Sequence, residues 1–476
     1  MIQAFQLSPR GMSVAMAAAM VLAGCSTVGP DYQRPNTVAD GPASFARAPA
    51  SPNEGAPLAA WWRLLKDPAL DALIDEVLAH NPTLAATQAK LRQSRAHLAQ
   101  KESSKYPSVG LDTLVLEEVS APGTAQQQTS QSTYVLGFDA SWELDLFGGH
   151  QRATEAAQAD AEAAVAELAD AQVSLSAEVA STYLGLRTEQ LSLQQARQAQ
   201  QLDLQQLALV QQRVGLGVAT TLDLERATAR VDSDQSEILG KQENLRDASD
   251  RLAFLVGLAP AQLDQRLQVL AANELPQLPE TLSIGHPDAL LKNRPDIRAA
   301  ERRLASNTAQ IGEKQANRFP KIKFMGDLGL MGSTPSQLMH WTSATLLGLP
   351  MLQWNVLDFG RSQAQVNQAE AARDEALARY QASVLSALHD ANNSLARYGH
   401  QREQLMHQLT QQASAVHLLE LTQQRRAAGV TTEMDVQDAR RELMNRDQDV
   451  LAARGQLLKQ FVSVNKSLGL GWQLPG

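Results

Sequence analysis

The sequence predicts an α+β chain: two tandem repeats of long α-helical coiled-coil hairpins, each with a pair of β-strands near its start. Three observations predict it. Aromatic residues make up only 4% of the 476 residues, while Ala, Leu and Gln abound. That mixture suits long helices packed through narrow seams better than several compact cores. Apolar residues recur every seven positions at Leu224, Val231, Ile238, Leu245 and Leu252, and again at Val436, Leu443, Val450, Leu457 and Val464. A sustained seven-residue period keeps one seam facing a partner helix. Finally, landmarks of the first half return in the second at a near-constant offset. Asn81-Pro82 matches Arg294-Pro295, Tyr106-Pro107 matches Phe319-Pro320, Trp142 matches Trp354, Phe147-Gly148 matches Phe359-Gly360, Gly217-Val218 matches Gly429-Val430, and Asp223 matches Asp435.

The N-terminus opens with Arg10 flanking an apolar run, Met12 to Leu22, too short to cross a bilayer as a helix. The run ends in Leu22-Ala23-Gly24-Cys25, and Cys25 is the only cysteine, so no intrachain disulfide forms. Small residues before a lone Cys at such a place resemble the lipobox of bacterial lipoproteins; an ordinary signal peptide with an incidental cysteine is the alternative. The resemblance implies a signal peptide over 1–24, cleavage before Cys25 and covalent lipid on that residue, with no other cofactor expected. Ser26, where an Asp would argue for inner-membrane retention, favours the outer membrane. Residues 25–57 contain a stretch rich in Pro, Ala and Ser that reads as an extended tether.

The first repeat occupies 58–270. It is read as a helix from about Pro68 to Ser104, two strands between Pro107 and Gly148, a helix from about Arg152 to Val214, a turn at Gly215-Leu216-Gly217, and a return helix from Thr221 to about Leu255. A Pro- and Gly-containing linker fills 271–287. The second repeat, 288–476, is read as a helix over 288–317, strands within 320–358, a helix over 362–427, a turn at Ala428-Gly429 and a helix over 432–468. The outgoing helix of the first repeat carries two apolar rows, Val165, Val179, Leu186 and Leu193 beside Ala177, Leu184 and Leu191. Two rows need neighbours on two sides, as inside a closed cylinder. A helix of ~60 residues is roughly 90 Å long, which spans a distance and offers little pocket for chemistry.

The strands alternate. Tyr134, Leu136, Phe138, Ala140 and Trp142 form one apolar face, opposite Val135, Gly137, Asp139 and Ser141. Val109, Leu111 and Val115 share a face, as do Ile322, Phe324, Gly326, Leu328 and Leu330, with Lys321, Lys323 and Asp327 on the other side of that strand. This is the pattern of transmembrane barrel strands; a soluble sheet with one buried face is the alternative. Four strands cannot close a membrane barrel, whose smallest size is about eight, so a membrane reading requires several chains to share one barrel.

The formal net charge of −9 argues against nucleic acid as a partner, since phosphate neutralisation needs a basic surface. The nine histidines do not cluster, and His400 and His407 lack the i, i+4 spacing of a helical metal pair. Gly215-Leu216-Gly217 follows a helix and not a strand, which argues against a phosphate-binding loop. No nucleophile, base and orienting acid stand together, so no enzyme is expected.

Several motifs together resemble the TolC-like outer-membrane efflux factors, in particular their lipoprotein (NodT-type) branch. They are Cys25 with Gly29-Pro30-Asp31-Tyr32 and Pro35; Trp61-Trp62 ahead of Asp67-Pro68 and Leu70-Asp71; Trp142-Glu143-Leu144-Asp145-Leu146-Phe147-Gly148; Asn293-Arg294-Pro295-Asp296-Ile297; and Asp435-Val436 with Asp438-Ala439. They cover nearly the whole mature chain. The resemblance implies a homotrimer in which each protomer gives four strands to a twelve-stranded barrel in the outer-membrane lipid and its helices to a periplasmic α-barrel. It also implies a periplasmic adaptor (membrane fusion) protein and an inner-membrane pump, most often of the resistance-nodulation-division type. The function implied is passive conduction of exported solutes such as drugs. A type I secretion channel, a metal-ion efflux channel, and a periplasmic coiled-coil adaptor or scaffold are the rival readings.

Two sets of residues follow from this. Positions matching Asp435 and Asp438 form acidic rings at the periplasmic end of the family's channels, which implies a gate, with Arg440 and Arg441 as candidates to pair with them. Helix capping is the local alternative, since Thr432 and Asp435 have capping-box spacing, as do Thr220 and Asp223. The turns at Gly215 and Gly217, and at Arg426 and Gly429, match the tips that meet the adaptor's helical hairpins; simple helix termination is the alternative.

Overall fold

The computed structural model describes residues 27–36, 45–46, 59–119, 130–264, 274–279 and 294–472. Cys25, the stretch 1–24 expected to be a signal peptide, and most of the expected tether and linker lie outside the described residues. In chain order the elements are α1 (Pro68–His80), α2 (Pro82–Ser103), β1 (Ser108–Val119), β2 (Ser130–Leu144), α3 (Gly149–Gly215), α4 (Thr221–Val256), α5 (Pro295–Ala316), β3 (Lys321–Gly332), β4 (Ala344–Gln353), α6 (Arg361–Ala427) and α7 (Glu433–Ser467). Two compact units are formed, and each draws on both repeats. One contains the stretch up to Pro35, Lys90–Ala164 and Ala299–Gln381; the other contains Asn36–Ala89, Val165–Arg298 and Ala382–Gly476.

The helix expected over 68–104 is two helices. Pro82 removes a backbone donor and restricts the residue before it, so Asn81 leaves the helical region (ψ 125°). Asn81 then caps α2, its Oδ1 accepting from the N–H groups of Thr83 and Leu84. Its amide also donates to the carbonyl of Leu255 at 2.6 Å. The repeat equivalent, Arg294, donates to the carbonyl of Ser467 at 2.9 Å. One backbone tie between the start of one helix and the end of another thus recurs with unlike side chains.

The sequence's heptad rows face inward. Ile238 and Leu252 are buried in α4, and Val436, Val450, Leu457 and Val464 in α7. Leu193 and Ala196 of α3 pack on Ile238 and Leu245, forming the seam of the first hairpin. Both apolar rows of α3 are covered, with Val179, Leu186 and Leu193 on one and Ala177 and Leu184 on the other all buried. At 67 residues, α3 and α6 are each roughly 100 Å long if straight. Trp61, buried beside Trp62, packs edge-on against Phe461 of α7, with ring centroids 5.9 Å apart.

The strands form one antiparallel sheet in the order β1-β2-β3-β4, so β1 and β4 are edges with one partner each. Register puts Leu111, Phe138, Leu328 and Leu346 in one cross-strand row, with Thr113, Leu136, Leu330 and Ala344 in the next. On this face Leu111, Leu136, Phe138, Leu328, Leu346 and Leu352 are exposed. The opposite face carries Asp112, Asp139, Glu143, Lys321, Lys323 and Asp327, interleaved with Leu114 and Leu116 of β1, Met325 and Met331 of β3, and Leu347, Leu349 and Met351 of β4. Gly137 and Gly329 pair directly on that face, and a Cβ on either would stand 2.7–2.8 Å from the other's Cα. Glycine at both positions leaves room for the two backbones to approach this closely.

Candidate functional site

The two hairpin turns are built alike. At Gly217 and Gly429 the chain takes φ +74°, a conformation that glycine adopts without steric cost. The N–H of Gly217 donates to Val214 and that of Val218 to Arg213; the N–H of Gly429 donates to Arg426 and that of Val430 to Arg425, all at 2.9 Å. These paired bonds are the Schellman motif that satisfies the last carbonyls of a helix. Gly215 ends α3 without a positive φ. Nothing stands within 4 Å of where a Cβ would sit on Gly215, Gly217 or Gly429, and Leu216, Val218 and Val430 are exposed around them. Both turns are therefore open surfaces with apolar tips. Arg426 pairs with Glu433 across its turn.

Each return helix opens with a full capping box. Thr432 donates its N–H and hydroxyl to Asp435 Oδ2 at 2.7 and 2.8 Å, and the Asp435 N–H donates back to Thr432 Oγ1 at 3.3 Å. Thr220 and Asp223 repeat this at 3.0, 2.7 and 3.2 Å. Thr432 holds the Asp435 carboxyl below the usual carboxylate range, and Thr220 does the same for Asp223. Asp438, one turn on, is exposed and lies 3.5 Å from Arg230 of α4.

The pairing expected for Arg441 is different in the structure. Its guanidinium reaches Asp203 of α3 at 2.8 Å and Asp234 of α4 at 2.7 Å, and contacts neither Asp435 nor Asp438. Both aspartates have side chains only 4% exposed, so α7 is held to both helices of the first hairpin through a buried charge cluster. Burial, then hydrogen bonding to Asp234, pushes the Asp203 carboxyl up to about 6, against the pull of Arg441. A signal for these acids existed in the sequence. Asp203 continues the buried row of Ala196 and Val210, and Asp234 falls midway between the heptad residues Val231 and Ile238. A carboxylate at a seam position needs a cation.

Helix-side ends of the strands carry a second recurring pattern. Trp142 donates its indole N–H to the carbonyl of Lys105 and Trp354 donates to that of Arg318, each at 3.0 Å. Phe147 stacks on Phe319 with centroids 4.5 Å apart. Among the described residues no group of His, Cys, Asp and Glu is arranged to hold a metal ion, and no helix is long and apolar enough to cross a membrane.

Known proteins share this architecture. The outer-membrane channel OprN is 33% identical, aligns over 94% of this chain and all of its own, and superposes with a TM-score of 0.86. Outer membrane protein OprJ of Pseudomonas aeruginosa is 28% identical over 96% of this chain and 95% of its own. A probable outer membrane lipoprotein, SilC of Salmonella typhimurium, is 26% identical over 95% and 97%. The outer membrane efflux protein family matches at residues 73–258 and again at 286–470. With two matches spanning most of its length, each holding one strand pair and one helical hairpin, the chain belongs to the outer membrane efflux protein family.

Proposed function

We propose that three copies of this chain close their sheets into one twelve-stranded barrel and act as the passive exit duct of a tripartite efflux assembly. The observation that carries this is the sheet: one face apolar across all four strands, the other carrying the sheet's lysines and aspartates, and each edge strand with a single partner among the described residues. Unpaired edges in a bilayer are intolerable, and copies that pair β1 with β4 remove them. Along β2, Tyr134 and Trp142 stand about 27 Å apart, a spacing suited to the two aromatic girdles of a barrel. The tips at Gly217 and Gly429 meet a periplasmic adaptor, an inner-membrane pump supplies the energy, and Asp435 with Asp438 line the gate. Cys25 carries lipid, a reading supported by its lipobox and by similarity to a protein named as a probable lipoprotein.

Outer-membrane fractions analysed without boiling should contain a trimer that heat converts to monomer. A monomer released with the soluble periplasm would refute the barrel. Radiolabelled fatty acid should enter the wild-type chain and be absent from Cys25→Ala; equal labelling of both would refute the lipid assignment.

A further inference from the structure

The stretch just after Cys25 is seated with unusual specificity. The Val28 N–H donates to the carbonyl of Phe147 at 3.1 Å, and Thr27 lies against Gly148, where a Cβ would meet its Cγ2 at 2.5 Å. Gly29 (φ +95°) packs on Gly312 of α5, where a Cβ on Gly29 would come within 2.4 Å of the Gly312 Cα. The guanidinium of Arg152 grips this segment, with Nε on the Val28 carbonyl at 3.1 Å and one terminal nitrogen on the Gly29 carbonyl at 3.2 Å and Asp31 at 2.7 Å. Tyr32 finishes the seat, its hydroxyl 3.1 Å from Glu301 and its ring under Arg302.

Two local costs find their explanation here. Arg152 is a cation in the first turn of α3, against the helix dipole, and its side chain is only 5% exposed. Gly312 sits inside a helix, where glycine is less favourable than alanine. The segment's carbonyls and Asp31, together with Glu155 of α3 itself at 2.7 Å, compensate the first. The second clears space for it, since a Cβ on Gly312 would stand 2.6 Å from the Val28 carbonyl oxygen and 2.8 Å from Arg152 Cγ.

We propose that Thr27–Tyr32 is a strap that registers the lipid-bearing N-terminus to the helix-side end of the sheet, with Arg152 as its positioning residue. The strap rests on the lipid assignment of Cys25. Thr27 follows that residue by two positions, and two residues of chain reach at most about 7 Å. Its seat at Gly148 comes four residues after β2 ends at Leu144, in the same unit as the indoles of Trp142 and Trp354. An acyl chain tethered there enters the bilayer at the boundary the aromatics mark, beside the strands and not at the end of a loose leash.

Chymotrypsin cleavage after Tyr32 tests this on full-length protein in outer-membrane vesicles, because the Cys25–Tyr32 peptide reports strap release by its rate and acylation by its mass. Arg152→Leu should accelerate release about ten- to hundredfold, the loss expected for charge-assisted hydrogen bonds, and Tyr32→Phe, which remains cleavable and spares the fold, several-fold. Trimer assembly rates complete the test in a double-mutant cycle with Cys25→Ala. If the strap transmits the anchor, the double variant assembles no more slowly than the slower single variant. Unchanged cleavage in both strap variants, or additive slowing, overturns the strap. A wild-type peptide without acyl mass overturns the lipid assignment itself, and the strap's anchoring role with it, and is distinguishable from both.

Discussion

Asp203, Asp234 and Arg441 show what single residues contribute. Removing Arg441 leaves two buried carboxylates without the guanidinium that bonds both, a change that typically costs about 3–5 kcal/mol. Arg441→Leu should therefore lower the thermal midpoint of the detergent-solubilised channel, and an unchanged midpoint would show the cluster to be energetically idle. The pH dependence has a definite sign. In the fold Asp203 takes up its proton near pH 6, whereas an unfolded chain takes it up near 4. Between those values the folded state binds more protons, so this residue favours folding as pH falls from about 7 to about 4.5. Asp203→Asn should flatten that part of the stability profile; an identical profile in the variant would assign the titration elsewhere. Asp435 behaves oppositely, its carboxyl held low by Thr432 and its charge retained in mild acid. If Asp435 and Asp438 line the gate, replacing both with Ala should reduce cation selectivity and divalent block in planar bilayers. Unchanged selectivity with trimers intact would leave Asp435 its capping role alone.

Elements were legible in proportion to how local their causes are. The heptads at Leu224–Leu252 and Val436–Val464 and the alternation from Tyr134 to Trp142 placed helices and strands within a few residues, because a side-chain period is written directly in the chain. Asn81-Pro82 is a local stop signal, and it divides the helix expected over 68–104 into two. The partners of Arg441 and the seat of Thr27–Tyr32 join residues more than a hundred positions apart, which no local pattern contains. Facing on the sheet is testable by charge. Leu136→Arg or Phe138→Arg on the apolar face should cost on the order of 2–4 kcal/mol in the bilayer and depress trimer yield, while Ser141→Arg on the opposite face should be mild. Equal tolerance at all three would reverse the facing. At the turns, Ala219→Trp with Ala428→Trp should leave the trimer intact and impair efflux; full efflux with retained adaptor crosslinking would reduce the tips to simple helix ends.

On the scale of the whole molecule the duplication is faithful in backbone and unfaithful in charge. Asn81 and Arg294 make the same tie, and Trp142 and Trp354 the same bond, but the counterparts of Asp203, Asp234 and Arg441 are Ala415, Arg446 and Ala229. Asp438 corresponds to Arg226, and its partner Arg230 to Glu442. In a ring of six identical half-length chains, any charge would have to appear six times at one level, and each would face copies of itself. Fusing two halves into one chain breaks that constraint. If three copies close the duct as proposed, three acids can stand at a level where the alternate positions are arginine, an alternating polarity that no ring of identical short chains could adopt.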